Sequence, residues 1–253
     1  MKTTITHIGT ATVLLEIGGL HLLTDPAFDD APASYPTGPV TLRSLTGAAV
    51  PATSLPHLDA ILLSHDEHPD NLDTAGRALL EGRTVLTTVS GAQRLGGRAV
   101  GLAPWETHEL TGEGGTLLVT ATPGRHAGDV IGFLLQVPGE DEAFYISGDT
   151  VYYDELDEIG RRYSVGTALL HFGAAVVPYF GEDYITMDGE QGARLTRAID
   201  ARTIVPVHFD AWDHFTQGRA GIVDAFTRAG LADRLHWLDR GTPTVVDTRP
   251  PAS

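Results

Sequence analysis

Between positions 64 and 71 the chain reads Ser64-His65-Asp66-Glu67-His68-Pro69-Asp70-Asn71. Two histidines, two aspartates and a glutamate stand in the short run from His65 to Asp70. Such a cluster can hold a divalent cation, because imidazole nitrogen and carboxylate oxygen together suit zinc, manganese or iron. The chain has no cysteine. That excludes zinc–thiolate sites, disulfides and cysteine nucleophiles, and leaves imidazole and carboxylate as the metal ligands. Pro69 interrupts any continuing helix, so these side chains are expected to fan out from a loop. Three further candidates stand apart: His126, Asp149 and His208. Taken singly, each has an ordinary reading as well: a surface loop residue, a turn former and a hydrogen-bonded core histidine.

The elements that carry these residues favour the chemical reading. The cluster directly follows the apolar run 60–63, which reads as a buried strand. His126 follows an expected strand at 117–121 through Thr122-Pro123-Gly124-Arg125, and Asp149 follows one at 144–146 through Ser147-Gly148. His208 ends a strand at 204–207. All four places are C-terminal strand ends, which in layered α/β folds share one rim where sites are built. Strands are also expected at 12–17 and 20–24, joined by the hairpin signal Gly18-Gly19. Others are expected at 85–89, 133–137, 169–172, 174–177, 235–238 and 244–246. Helices are expected at 72–82, 153–162, 188–200 with Asp188 as N-cap, and 220–229 closed by Gly230. Residues 26–57, rich in Pro, Ala, Ser, Thr and Gly, predict a long loop with one short helix, lying over another part of the molecule. No repeat or low-complexity linker divides the chain, so residues 1–253 read as a single α/β domain.

Composition narrows the partners. With 42% apolar and 20% charged residues, the 253-residue chain can fill a core. Its formal net charge is −16, and Lys2 is its sole lysine. Without a basic run it is expected to repel nucleic-acid phosphates, so a small-molecule substrate is expected and nucleic acid is not. No apolar run approaches the ~20 residues of a membrane span, and the start, Met1-Lys2-Thr3-Thr4, carries no signal-peptide pattern. A cytoplasmic enzyme is the expectation, with a homo-oligomer left open.

Taken together, the motifs resemble the metallo-β-lactamase fold superfamily of hydrolases. Within it they resemble the branch containing the ascorbate-phosphate lactonase and the N-acylphosphatidylethanolamine phospholipase D. The resemblance runs through 6–16, Leu23-Thr24-Asp25-Pro26, 64–72, 122–126, Ser147-Gly148-Asp149-Thr150, 206–209 and 212–215. It implies a four-layer αββα sandwich with a metal site at one edge, holding one or two divalent ions, zinc first and manganese or iron as alternatives. It implies that His65, His68 and His126 hold the first metal, that Asp149 bridges, and that Asp70 and His208 hold the second. The family motif His-x-His-x-Asp-His is altered: one residue is inserted between the first two histidines, and Asn71 replaces the third. Asn71, a weaker neutral ligand, is assigned to the surroundings of the second metal, which would bind loosely or be absent. Glu67 stands where strict spacing would put the second histidine and competes with His68. His68 is favoured because it keeps the rest of the motif in step. Asp25 is expected behind the ligands, orienting a histidine.

The chemistry implied is hydrolysis. A bound divalent cation lowers the pKa of water from about 15.7 toward about 7 and so supplies a nucleophile. Asp70 is a candidate to accept a proton, and His214, beside Trp212, to stabilise an oxyanion or assist the leaving group. His7 reads equally as a site neighbour or a hydrogen-bonded strand residue; His171 reads as structural, and His21, His57, His108 and His236 as ordinary. Tyr152, Tyr153, Tyr163, Tyr179, Phe180 and Tyr184 are candidates for an apolar or stacking substrate wall, and equally for core and surface packing. Ester, lactone, amide, thioester and phosphodiester bonds all fit. The alternatives are a nuclease or phosphodiesterase, a redox di-iron protein, and a scaffold that binds no metal. No Gly-x-Ser-x-Gly elbow or Gly-x-x-x-x-Gly-Lys loop supports another class.

Overall fold

The computed structural model describes residues 2–247, without the side chains of Phe180 and Asp247. Met1 and residues 248–253 of the expected 1–253 domain lie outside the described residues. In chain order the strands are β1 (Lys2–Gly9), β2 (Thr12–Ile17), β3 (Leu20–Thr24), β4 (Ala33–Thr37), β5 (Val40–Ser44), β6 (Ala60–Leu62), β7 (Val85–Thr88) and β8 (Ala99–Leu102). They continue with β9 (Thr107–Gly112), β10 (Gly115–Pro123), β11 (Ile131–Gln136), β12 (Glu142–Ile146), β13 (Ser164–His171), β14 (Thr203–Val207) and β15 (Thr244–Asp247). The helices are α1 (Thr74–Leu79), α2 (Val89–Leu95), α3 (Asp157–Arg162), α4 (Gly189–Ile199) and α5 (Arg219–Arg228).

Thirteen strands form two sheets, ordered β15-β1-β2-β3-β6-β7-β8 and β14-β13-β12-β11-β10-β9. Period-two alternation explains the layering. Val13, Leu15 and Ile17 of β2 enter one buried cluster with Leu117, Val119 and Ala121 of β10, which is the core between the sheets. Leu14, on the other face, packs with Leu23, Ile61, Leu63, Leu79 and Leu95 beneath α1 and α2. On the second sheet, Leu169 and Val205 face the inner core. Their neighbours Ala168, Leu170 and Ile204 face Leu195, Ile199, Ile222 and Phe226 beneath α4 and α5. Each fully buried leucine or isoleucine contributes about 1.5–3 kcal/mol of transfer free energy. Strands buried on both faces explain the near-continuous apolar runs in the sequence. The expected αββα sandwich is the fold observed.

Direction matters for the site. β11 pairs antiparallel with β10 and β12, while β12, β13 and β14 are mutually parallel, so β10, β12, β13 and β14 point the same way. In the first sheet β3, β6, β7 and β8 are parallel. The loops that leave β6, β10, β12 and β14 meet on one rim. The expected 26–57 loop holds more order than the sequence suggested. Gly38-Pro39 turns the β4–β5 hairpin, with Gly38 at φ 63°, which suits a two-residue turn with glycine first. The hairpin is fastened to residues 211–213: Leu45 N–H donates to the Ala211 carbonyl at 2.6 Å and Asp213 N–H to the Arg43 carbonyl at 3.1 Å.

Some expected elements differ. Helix 72–82 shortens to α1, because Asp73 is its N-cap and accepts the Gly76 N–H at 2.7 Å. Val89 does not extend β7 but begins α2, an unexpected helix capped by the Thr88 hydroxyl. The pieces at 174–177 and 235–238 make only isolated bridges, Ala175 to Phe215 and Ile204 to Leu235. β8 and β9 were not expected as strands, and β1 was expected only in the strand reading of His7. Among the described residues no helix is long and apolar enough to cross a membrane.

Candidate metal centre

The loop after β6 delivers the densest part of the rim. Asp25 Oδ1 accepts the Ser64 N–H at 2.7 Å, and Asp66, buried beneath the loop, takes a two-pronged ion pair from Arg94 of α2, with Arg94 Nη2 2.6 Å from Oδ1. Arg77 of α1 donates to the Asp66 carbonyl at 2.9 Å. So fixed, His65 and His68 point inward. His65 Nε2 lies 3.0 Å from His68 Nδ1, and His126 Nε2 lies 2.9 Å from the same atom.

Three imidazole nitrogens crowded this closely need a positive charge between them or a shared proton. His126 Nδ1 is 2.6 Å from the Ile185 carbonyl. A carbonyl only accepts, so the ring proton sits on Nδ1 and the Nε2 lone pair faces the cluster. Burial, then the neighbouring His68, lowers His126 to about 3. Burial, then His68 and His126, holds His65 well below the ordinary imidazole value. Neutral imidazoles are the form a metal requires.

A second group adjoins the first. His208 Nε2 is 3.2 Å from Asp70 Oδ2 and 3.3 Å from Asp149 Oδ2. The other carboxylate oxygens, Asp70 Oδ1 and Asp149 Oδ1, are buried with no hydrogen-bond partner among the described residues. Unpaired buried carboxylate oxygens are costly, and a cation is the natural partner. His65, His68 and His126 form one candidate cation group, and Asp70, Asp149 and His208 another, each with its ligand atoms within 4.8 Å of one another. The residues present therefore fit divalent metal binding. Burial raises Asp149 above the usual carboxylate range. Burial opposes ionisation of Asp70 too, but hydrogen bonds from His208 and His214 outweigh it and hold Asp70 well below that range. Burial alone would lower His208; Asp149 and then Asp70 outweigh it and raise His208 to about 9.

The backbone bends to make this arrangement. His208 has φ 58°, Asp25 φ 34° and Thr10 φ 47°, left-handed conformations that non-glycine residues adopt at a cost near functional sites. The His208 N–H is held by the Thr10 carbonyl at 3.0 Å. Gly148 puts Asp149 in place at φ 61°, where a Cβ would stand 2.6 Å from the Ile131 carbonyl oxygen.

Several expected roles change. Glu67 joins neither candidate cation group nor the cavity lining: its side chain is 45% exposed and turns outward to Arg94 at 3.3 Å. The residue inserted between the histidines swings Glu67 away and brings His68 in. Asn71 is fully buried, but both amide atoms lack partners among the described residues and it does not line the cavity. Among the described residues Asp25 makes no hydrogen bond or ion pair with a candidate ligand histidine. It anchors the Ser64 amide and lies 3.6 Å from His171 Nε2, with burial raising it to about 7. His214 Nε2 is 3.1 Å from Asp70 Oδ2. His7 is a hydrogen-bonded strand residue, 3.2 Å from the Thr10 carbonyl. His21, His57 and His108 line a broad cleft by the β2–β3 and β9–β10 turns, on the rim away from the metal groups.

Sequence reasoning missed Arg94, whose only signal was a basic residue in an unrecognised helix. His171, read as structural, is fully buried at the end of β13 with its ring 5.7 Å from His208. The hairpin was missed as well, although Gly38-Pro39 signals a turn. Its residues cover the site. A cavity of about 240 Å³ opens onto His68, Asp70, His126, Asp149, His208 and His214. Pro39, Val40 and Leu42 line it from the hairpin side, and Val177, Tyr179 and Ile185 from the other. Of the six aromatics weighed as substrate wall or packing, Tyr179 lines the cavity, Tyr152, Tyr153 and Tyr163 pack against the core under α3–α5, Tyr184 is exposed, and the Phe180 side chain lies outside the described residues.

A family model described as a beta-lactamase superfamily domain matches residues 21–209. A metal-dependent hydrolase of the UPF0173 group from Caldivirga maquilingensis is 28% identical over 223 residues, 83% of either chain. The solved structure of an isothiocyanate hydrolase from Delia radicum gut bacteria superposes with a TM-score of 0.80 at 24% identity, over 96% of this chain and 98% of that one. Igni18, a metallo hydrolase from Ignicoccus hospitalis, gives 0.76 at 19% identity over 98% and 99%. These two structural likenesses bear on the fold alone.

Proposed function

Since the chain belongs to the beta-lactamase superfamily, matched over residues 21–209, we propose that it is a metal-dependent hydrolase of a small molecule, with His65, His68 and His126 holding one divalent ion and Asp70, Asp149 and His208 a second. The observation that carries this reading is the convergence of His65 and His126 on His68 at 3.0 and 2.9 Å, beside two buried carboxylates with unpartnered oxygens.

When bound, such ions polarise a scissile carbonyl or phosphoryl oxygen and bring the pKa of a water from about 15.7 toward about 7. The chain's own residues do the rest. Ile185 and Phe172 carbonyls, at 2.6 and 3.4 Å from the Nδ1 atoms of His126 and His208, keep the ring protons on the far side from the cavity. Asp70, kept ionised against burial by hydrogen bonds from His208 and His214, accepts a hydrogen bond from the attacking water and orients it. His214, hydrogen-bonded to Asp70 at 3.1 Å and facing the cavity, hands a proton to the leaving group. The hairpin and Val177 exclude bulk water, which strengthens each electrostatic contact. Ester, lactone, amide, thioester and phosphodiester substrates fit the chemistry, and lactones test the narrower branch that the motifs resemble. Zinc is the first candidate metal, ahead of manganese and iron.

Elemental analysis of protein purified without chelator tests this. Two equivalents in the wild type, with one lost in His126→Ala and the other in His208→Ala, are expected. A wild type that stays metal-free after reconstitution would overturn the reading.

A further inference from the structure

Beyond its polar floor, the cavity that opens onto the six histidines and aspartates has mostly apolar walls. Pro39, Val40, Leu42, Val177, Tyr179 and Ile185 supply them, and no lysine or arginine is among the described lining residues. The arginines nearest in sequence are committed elsewhere: Arg43 pairs with Asp213 at 3.3 Å, and the Arg125 guanidinium lies 4.2 Å over the Tyr153 ring. Two threonines complete the wall, and their hydroxyls have partners: Thr186 accepts the Ala175 N–H at 2.9 Å and Thr37 donates to the Val40 carbonyl at 3.4 Å. The volume, about 240 Å³, corresponds to about eight waters at ~30 Å³ each and is below the roughly 300–1,000 Å³ of drug-sized sites. An anionic tail lying against these walls would lose its hydration and meet no lysine or arginine there in return. It would also sit in a chain of net charge −16.

Resting on the proposed hydrolase reading, we infer that the substrate's non-reacting part is small, uncharged and apolar. The enzyme therefore acts on neutral acyl compounds such as short-chain thioesters, esters and lactones, and rejects those whose tail carries a carboxylate or phosphate. In a thioester the C–S bond breaks and a C–O bond to water's oxygen forms. One water proton goes to the departing thiolate and the other is released as the acid ionises, so no oxidant or reductant is needed. The reacting carbonyl lies at the polar floor and the acyl chain against the hairpin.

The test has a binding arm and a turnover arm. Butanethiol and 3-mercaptopropionate share a metal-binding thiol and differ in the charge of the tail. Calorimetry on zinc-loaded protein is expected to show butanethiol binding at least tenfold tighter. Equal or reversed affinities would overturn the inference, whatever the turnover. The turnover arm compares S-ethyl thiobutyrate with the singly S-ethylated thioester of succinate, reading released thiol with a disulfide reagent. The protein itself gives no background, since it has no cysteine. The neutral thioester is expected to have at least tenfold higher kcat/KM, and Val40→Arg, at unchanged metal content, to narrow that ratio in both arms. Faster hydrolysis of the succinyl compound would overturn the inference and leave the hydrolase standing. No turnover of these thioesters, a lactone or a phosphodiester by loaded protein would overturn the hydrolase reading, while the binding arm still judges the cavity.

Discussion

A single hydrogen bond decides how His126 presents itself. The Ile185 carbonyl at 2.6 Å fixes the tautomer, and burial keeps the ring neutral to about pH 3. His208 behaves in the opposite sense, because Asp149 and Asp70 overcome burial and raise it to about 9. The metal-free folded protein thus binds this proton more tightly than the unfolded chain, whose histidine titrates near 6.5. The stability it contributes is fully present below pH 6.5 and is lost as pH rises through about 9. Melting of the chelated protein across that window should show a declining Tm, flattened in His208→Asn. An equal decline in the variant would remove His208 as the cause. His214 is the other residue to probe. His214→Ala is expected to keep its metal while kcat falls about 10²-fold or more, the usual contribution of a positioned proton donor. Loss of one metal equivalent instead would make His214 a ligand.

At the scale of elements, α1 and the β4–β5 hairpin act on the site without touching a metal. Glycine inside a helix ordinarily costs about 0.5–1 kcal/mol relative to alanine, so Gly76→Ala in α1 would be expected to stabilise. Here a Cβ would stand 1.8 Å from the Pro26 carbonyl oxygen, and the clash must shift the Asp25-Pro26 turn that holds the Ser64 amide. Gly76→Ala should therefore lower both melting temperature and metal affinity, measured by titration with a chelating indicator. Unchanged affinity would separate α1 from the centre. Leu42 packs with Val177, Ala211 and Trp212, which joins the hairpin to the segment carrying His214. Leu42→Ala should cost about 2 kcal/mol, the low end for a buried leucine. It should raise KM more than it lowers kcat, since it opens the cavity wall and leaves the polar floor intact.

Across the whole molecule the proposed metal centre would be a cross-link. His65, His68 and Asp70 leave the first sheet after β6, and His126, Asp149 and His208 leave the second after β10, β12 and β14. Metal bound at both groups would tie together two layers that otherwise meet through apolar packing and rim hydrogen bonds such as His208 N–H to the Thr10 carbonyl. A ligand present at a thousand times its Kd stabilises by about 4 kcal/mol, and at this chain length 1 kcal/mol moves Tm by about 2–4 °C. Chelation should thus lower Tm by about 10 °C, and readdition of zinc should restore it. A Tm indifferent to chelator would mean that the two halves of the rim do not share a cation.

What the sequence determined by itself was local and periodic. Near-continuous apolar runs such as those of β6 and β14 dictate strands buried on both faces, and Asp188 and Gly18-Gly19 mark a helix start and a turn, because each depends on near neighbours. The histidines and aspartates that meet at the rim were legible too, since they stand directly after apolar runs. The sequence could not decide between Glu67 and His68, because one inserted residue changes which side chain faces inward, and Arg94 of α2 draws Glu67 out. Nor could it show that the 33–44 hairpin walls the cavity, or that Asp25 holds the Ser64 amide rather than a ligand. Those relations join residues far apart in the chain. Only the packing of one sheet against the other decides which backbone groups and which charges come within reach.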